Sequence, residues 1–139
     1  MTDKERLVKE WLEHDNIILA VDFDDTIFHW RHRSQEKCDN TISLVKWAQS
    51  TGAHIMIHTA SDTDRHPEII KYCNSKGIKV DSINKNPIPM PYGNEGKPYY
   101  NWQLCDRSGL VYAEQVLEEA IKEVLTRKGH NNHSSKAIA

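Results

Sequence analysis

The sequence predicts an α/β fold, a Rossmann-like three-layer sandwich around a mostly parallel sheet. Two apolar runs and one helical stripe predict it. Ile17 to Phe23 is a continuous apolar run of strand length, as in a strand buried on both faces. His54 to His58 is a second short run of the same kind. Leu110, Ala113, Leu117, Ala120 and Val124 alternate spacings of three and four, and Val116 and Ile121 widen that stripe into one face of a helix. Strands alternating with helices favour parallel pairing.

The elements follow in order. Thr2 and Glu5 match a capping box, with Leu7, Val8, Trp11 and Leu12 behind it, which predicts a helix over 3–14. Residues 26–40 carry turn and charge signals without a period. Ile42, Val45, Trp47 and Ala48 predict a helix over 41–50, and Gly52 stands where it should stop. After the second strand, Ile69, Ile70 and Cys73 predict a helix ending near Gly77, and Ile78 to Ile83 alternates as a strand. Residues 84–98 hold four of the five prolines, with Gly93 and Gly96, and read as an irregular loop. Tyr99 to Cys105 reads as a last strand, closed by Asp106-Arg107-Ser108-Gly109. The final helix is expected over 110–128, ended by Gly129, with a disordered polar tail over 130–139. One domain over 1–129 accommodates all of this, with its core over 17–110.

Composition removes several function classes. The net charge of −2 gives no basic field for nucleic acid or an anionic membrane. No apolar run approaches the roughly 20 residues of a membrane helix. The charged first fifteen residues do not read as a secretory leader. Cys38, Cys73 and Cys105 form no zinc-like pairs, so a reducing, cytoplasmic setting is expected.

In open sheets of this kind ligands bind beyond the carboxyl ends of the strands. The polar residues there are Asp22, Asp24 and Asp25, then Thr59 and Ser61, then Asn84 and Lys85, then Asp106. Asp22 and Asp24 are two apart, so at a strand end their side chains point the same way. Two such carboxylates can share a hard divalent cation such as Mg²⁺. They can also divide labour as nucleophile and acid–base, because like charges push their pKa values apart.

Here the sequence resembles the haloacid dehalogenase-like (HAD) phosphohydrolases. Asp22-Phe-Asp-Asp-Thr-Ile27 is similar to their first motif, DxDxT. Ile55-Met-Ile-His-Thr59 resembles the second, Lys97 in Gly96-Lys-Pro-Tyr-Tyr100 the third, and Leu104-Cys-Asp-Arg107 the fourth. The resemblance implies a Mg²⁺-dependent phosphomonoester hydrolase. Asp22 would be the nucleophile that forms an aspartyl-phosphate, and Asp24 the acid–base. Thr26, Thr59 and Lys97 would brace or bind the phosphate. Mg²⁺ would bind Asp22, Asp24 through its backbone carbonyl, and Asp106. Lys85 is a rival for the lysine. The fourth motif is commonly a pair of acids, and here one member is Cys105, a poor ligand for Mg²⁺. A catalytically impaired phosphate-binding or interaction module on the same fold is therefore the alternative.

The segments where such proteins carry a cap domain are short here, 26–41 and 84–96, which implies a capless core with an open site. The basic, aromatic segment His29-Trp-Arg-His-Arg33 offers contacts for a nucleotide or polynucleotide phosphate. Against these readings stand plainer ones. Asp25 reads as a turn residue, Cys105 as a buried small residue, and His54 and His58 as structural strand residues. The stripe of the last helix reads as core, with room for a helix-mediated homodimer.

Overall fold

The computed structural model describes residues 1–90 and 98–136. Its elements are α1 (Asp3–His14), β1 (Ile17–Asp22), α2 (Gln35–Ser50), β2 (Ala53–His58), a 3-10 turn at Thr63–Arg65, α3 (His66–Ser75), β3 (Ser82–Ile83), β4 (Trp102–Leu104) and α4 (Leu110–Lys136). The four strands form one all-parallel sheet in the order β3-β2-β1-β4. This is the α/β architecture that the apolar runs predict.

The caps explain the helix boundaries. The Thr2 hydroxyl accepts the Glu5 N–H at 3.1 Å, and the Thr2 N–H reaches the Glu5 carboxylate at 3.4 Å, which completes the capping box of α1. α2 begins earlier than its apolar stripe does, because Ser34 caps it by accepting the Lys37 N–H at 3.3 Å. It stops at Ser50, and Gly52 turns the chain with φ +111°. A Cβ there would also stand 3.0 Å from the Asp15 carbonyl oxygen, so glycine fits this turn for two reasons. α4 runs past Gly129 to Lys136, where the sequence predicts a stop and a disordered tail. A single interior glycine costs a helix only about 1 kcal/mol and need not end it.

One face of β1, through Ile17, Leu19 and Val21, joins a core shared with the buried sides of all four helices. Ile18, Ala20 and Met56 face the other way. Among the described residues this second face is covered by Ile88, Met90, Tyr99 and Tyr100, from the proline-rich segment and the residues just after it. Those four residues lie in irregular chain rather than in a helix, and Pro87 and Pro89 lack the N–H groups that a helix requires. The stripe of α4 is spent inside the fold: Ala113, Val116, Leu117, Ala120, Ile121 and Val124 are buried in the same core. The core reading of that stripe is the one the structure shows. No helix of the described residues is long and apolar enough to cross a membrane.

Candidate active site

Strand register brings the polar ends together. Asp22, the last residue of β1, is level with His58 of β2, and Val21 is level with Leu104 of β4. The chain leaving β4 therefore sets Cys105 and Asp106 directly beside Asp22. One carboxylate oxygen each of Asp22 and Asp106 and the Cys105 Sγ all lie within 4.8 Å of one another.

Thr26 is the hub of this cluster and is fully buried. Its Oγ1 accepts the Asp106 N–H at 3.0 Å, and it stands 3.3 Å from Asp22 Oδ2 and 3.5 Å from Asp106 Oδ1. A hydroxyl has one proton to give. Both of the last two distances exceed the usual O–H···O length of about 2.7–2.8 Å, so neither carboxylate is well compensated by it. Among the described residues no Lys, Arg or His forms an ion pair with Asp22 or Asp106. Burial, a hydrogen bond with Asp106 and repulsion from its charge push the Asp22 carboxyl up to about 7.

Asp24 is not in that cluster. Its carboxylate forms a bidentate pair with Arg65, with Nη1 and Nη2 each donating at 2.9 Å. Arg65 Nη1 also donates to Ser61 Oγ at 2.7 Å. The guanidinium lies over the rings of Phe23, Phe28 and Trp30 at 5.3, 5.7 and 5.4 Å, within cation–π range. The expected side-by-side carboxylates are thus separated: the chain turns immediately after Phe23, with Phe28 N–H donating back to the Phe23 carbonyl at 3.0 Å. Asp24 contributes no side-chain ligand to the candidate metal cluster.

Asp25 organises the loop. It takes a left-handed φ of 58°, which Asp tolerates better than most residues. Its Oδ1 accepts the N–H groups of Trp30, Arg31, His32 and Arg33 at 2.9 to 3.3 Å. Burial alone would raise its pKa, yet those four donors outweigh it and hold the carboxyl at about 2. The turn role read from the sequence fits this. The same bonds pin the basic segment. Arg33 spends its guanidinium on the Thr26 carbonyl at 2.6 Å and on Glu114 at 3.2 Å, while His29, Trp30, Arg31 and His32 are exposed.

The remaining candidates divide. Thr59 Oγ1 accepts the Ser61 N–H at 3.0 Å, and the Thr59 backbone is clamped by the Asn84 side chain at 2.8 and 3.0 Å. Lys97 lies outside the described residues, and the rival Lys85 is exposed. His58 is half-buried, its pKa lowered by that burial, and packs edge-on to Tyr100 at 5.5 Å. Arg65 is the residue that the sequence reading misses. It sits in a polar stretch with no motif, and only folding brings it to Asp24. Cys105 reads as a buried small residue in sequence; it is partly buried, with its sulfur beside the two carboxylates.

As a donor set for a divalent cation, the two carboxylates suit a hard ion such as Mg²⁺ and the thiol does not. Fold and site together define an α/β protein with a carboxylate–thiol cluster at the carboxyl edge of a parallel sheet. No family model and no curated protein matches the sequence. Among solved structures it is similar to a conserved protein coded by a locus of Bacteroides thetaiotaomicron, with a TM-score of 0.58 and 24% identity. The match covers 78% of this chain and 91% of that one. At that identity the likeness speaks for the fold alone.

Proposed function

We propose that the protein is a capless HAD-like phosphatase, hydrolysing a phosphomonoester through an aspartyl-phosphate on Asp22. The observation that carries this reading is the cluster of Asp22, Thr26 and Asp106. It lies where two adjacent parallel strands end, and it concentrates negative charge that no described cation relieves. Phosphoryl transfer asks mainly for alignment and charge stabilisation. A divalent cation held by Asp22 and Asp106, with Mg²⁺ as the expectation, supplies that stabilisation when bound.

Asp22 attacks phosphorus in line, the bond to the leaving oxygen breaks, and Asp24 gives that oxygen a proton. Asp24 then takes a proton from the water that hydrolyses the acyl phosphate. For this the Asp24–Arg65 pair must part. A phosphoryl dianion matches the guanidinium fork as well as a carboxylate does, so substrate competes for Arg65 as it enters. Thr26 holds Asp106 in register with Asp22, and Thr59 and Lys97 complete the phosphate contacts. The open site and the exposed Trp30 and Arg31 favour a nucleotide or a polynucleotide end.

The alternative, a phosphate-binding module without turnover, is favoured by the clamped Asp24 and by the thiol in place of an acid. Hydrolysis of p-nitrophenyl phosphate in Mg²⁺ separates the two. Activity in the wild type that disappears in Asp22→Asn supports the enzyme. Inactivity of both, across a panel of phosphorylated metabolites and 3′- or 5′-phosphorylated oligonucleotides, leaves the binding module.

A further inference from the structure

We infer that a second anion subsite adjoins the active site, and that the substrate carries, besides its scissile phosphate, a further phosphoryl group held there by Lys37 and Arg107. The inference rests on the phosphatase reading above and deepens it by naming what else the substrate must carry.

A cavity of about 680 Å³ lies between the basic segment, the start of α2 and the start of α4. Asp106 lines it, so it shares a wall with the carboxylate cluster. Its frame is fixed. Asp25 pins residues 30–33 through four backbone N–H groups, which sets His32 in place on one side. Arg33 joins that segment to α4 through Glu114 at 3.2 Å, and Thr41 Oγ1 of α2 stands 3.1 Å from the other Glu114 oxygen. One partly buried ion pair thus ties together the three elements that frame the cavity. Tyr112 is held as well, its hydroxyl donating to Asp3 at 2.8 Å. The space exists before a ligand arrives, so filling it costs little ordering entropy.

Charge decides what fills it. Three acids line the cavity, and two are compensated: Asp25 by its four N–H donors, Glu114 by Arg33 and Thr41. The third, Asp106, belongs to the carboxylate cluster. The cations are not matched in this way. Among the described residues neither Lys37 nor Arg107 has an ion-pair partner. Two such cations on one cavity suit a phosphoryl group, for which the guanidinium supplies a fork and the ammonium a point charge. Exposed Val111 and Tyr112 add an apolar rim on which a sugar or a base can lie. A ligand that reaches both sites has its two phosphoryl groups on one small scaffold, as in a nucleoside bisphosphate or at the phosphorylated end of an oligonucleotide.

Three probes isolate the second group. Thymidine 5′-monophosphate, thymidine 3′,5′-bisphosphate and the 5′-phosphorylated thymidine dinucleotide share a nucleoside and differ in what its 3′ oxygen carries. The experiment measures kcat/KM for each in Mg²⁺, for the wild type and for the Lys37→Gln, Arg107→Gln double variant. The wild type is expected to prefer a probe with the second group over the monophosphate by about tenfold, through KM, and the double variant to lose that preference. A preference for the bisphosphate alone marks a small substrate with a terminal second phosphate. A preference shared by the dinucleotide marks a phosphodiester, and so a polynucleotide end. Charge reversal, Lys37→Glu with Arg107→Glu, is expected to invert the order.

Calorimetric binding to the Asp22→Asn protein gives a readout that needs no turnover. The bisphosphate is expected to bind it about tenfold more tightly than the monophosphate, and to lose that margin when Lys37→Gln and Arg107→Gln are added. Equal treatment of all three probes, or a preference that survives in the double variant, would overturn the inference. Tighter binding of the bisphosphate by a protein that hydrolyses none of the probes keeps the subsite and removes the phosphatase reading. Hydrolysis without preference does the reverse, so the two fail separately.

Discussion

Asp22→Asn should stabilise the metal-free protein at alkaline pH while abolishing activity. The cause is the burial of Asp22, added to its hydrogen bond with Asp106 and the repulsion of that charge, which together lift the Asp22 carboxyl from 3.8 to about 7. At about 1.4 kcal/mol per pH unit that distance is worth about 4 kcal/mol of strain against the ionised form. Solvent screening at a half-buried site reduces this to on the order of 2 kcal/mol. Asparagine keeps the shape. Its Oδ1 accepts from Thr26 and its Nδ2 donates to Asp106, so the hydrogen bonds survive and only the charge is removed.

The sign follows from linkage. The folded pKa lies above the unfolded one, so between pH 3.8 and about 7 the native state binds more protons and the wild type loses stability as pH rises. Asp22→Asn escapes that loss. Urea denaturation in EDTA at pH 4, 6 and 8 should therefore show no advantage for the variant at pH 4, a growing one at pH 6, and about 2 kcal/mol at pH 8. A saturating divalent cation should erase the advantage by relieving the wild type. A variant no more stable than wild type at pH 8, or equally advantaged at pH 4, refutes the reasoning.

Other perturbations follow from the same contacts. Asp25→Asn loses the charge that four backbone N–H groups point at. Because the folded carboxyl sits at about 2 against an ordinary 3.8, it should cost about 2 kcal/mol at pH 7. That difference should hold above pH 3.8 and fade as pH drops through about 2, seen in urea midpoints; a constant difference across that range contradicts the assignment. Thr26→Val removes the acceptor of the Asp106 N–H from a fully buried site and should cost about 1–3 kcal/mol by urea denaturation, with a loss under about 0.5 kcal/mol counting against the hub role. Arg65→Lys keeps the charge but loses the paired bonds to a partly exposed Asp24, so thermal and urea unfolding should register less than about 1 kcal/mol. A loss above 2 kcal/mol would make Arg65 a structural keystone instead.

The positions of Asp22 and Asp106 are legible in the sequence because each follows a segment that reads as a strand, and parallel strands align such ends. The buried stripe of α4 and the capping box of α1 are legible for the same reason, since each is a local pattern with one physical cause. Other features depend on partners distant in the chain. Nothing around Arg65 announces that it will take Asp24, because that pair joins the end of β1 to the turn before α3. The start of α2 is hidden because its first turn is polar and only the Ser34 cap marks it. The covering of one sheet face by Ile88 and Met90 is hidden in a segment that reads only as a loop, and that by Tyr99 and Tyr100 at the start of a segment that reads as a strand. The surroundings of Cys105 are hidden too, because its neighbour on β1 decides what its sulfur meets.

The central claim is that Asp22 becomes phosphorylated, and acid-quenched mass spectrometry of the Asp24→Asn variant tests it most directly. With substrate and a divalent cation present, loss of the residue that activates water should let the intermediate accumulate. The account predicts one phosphoryl group on the peptide that contains Asp22, absent from the Asp22→Asn, Asp24→Asn double variant. A wild type that releases phosphate while no peptide of the single variant carries a phosphoryl group, or one that carries it elsewhere, would contradict it.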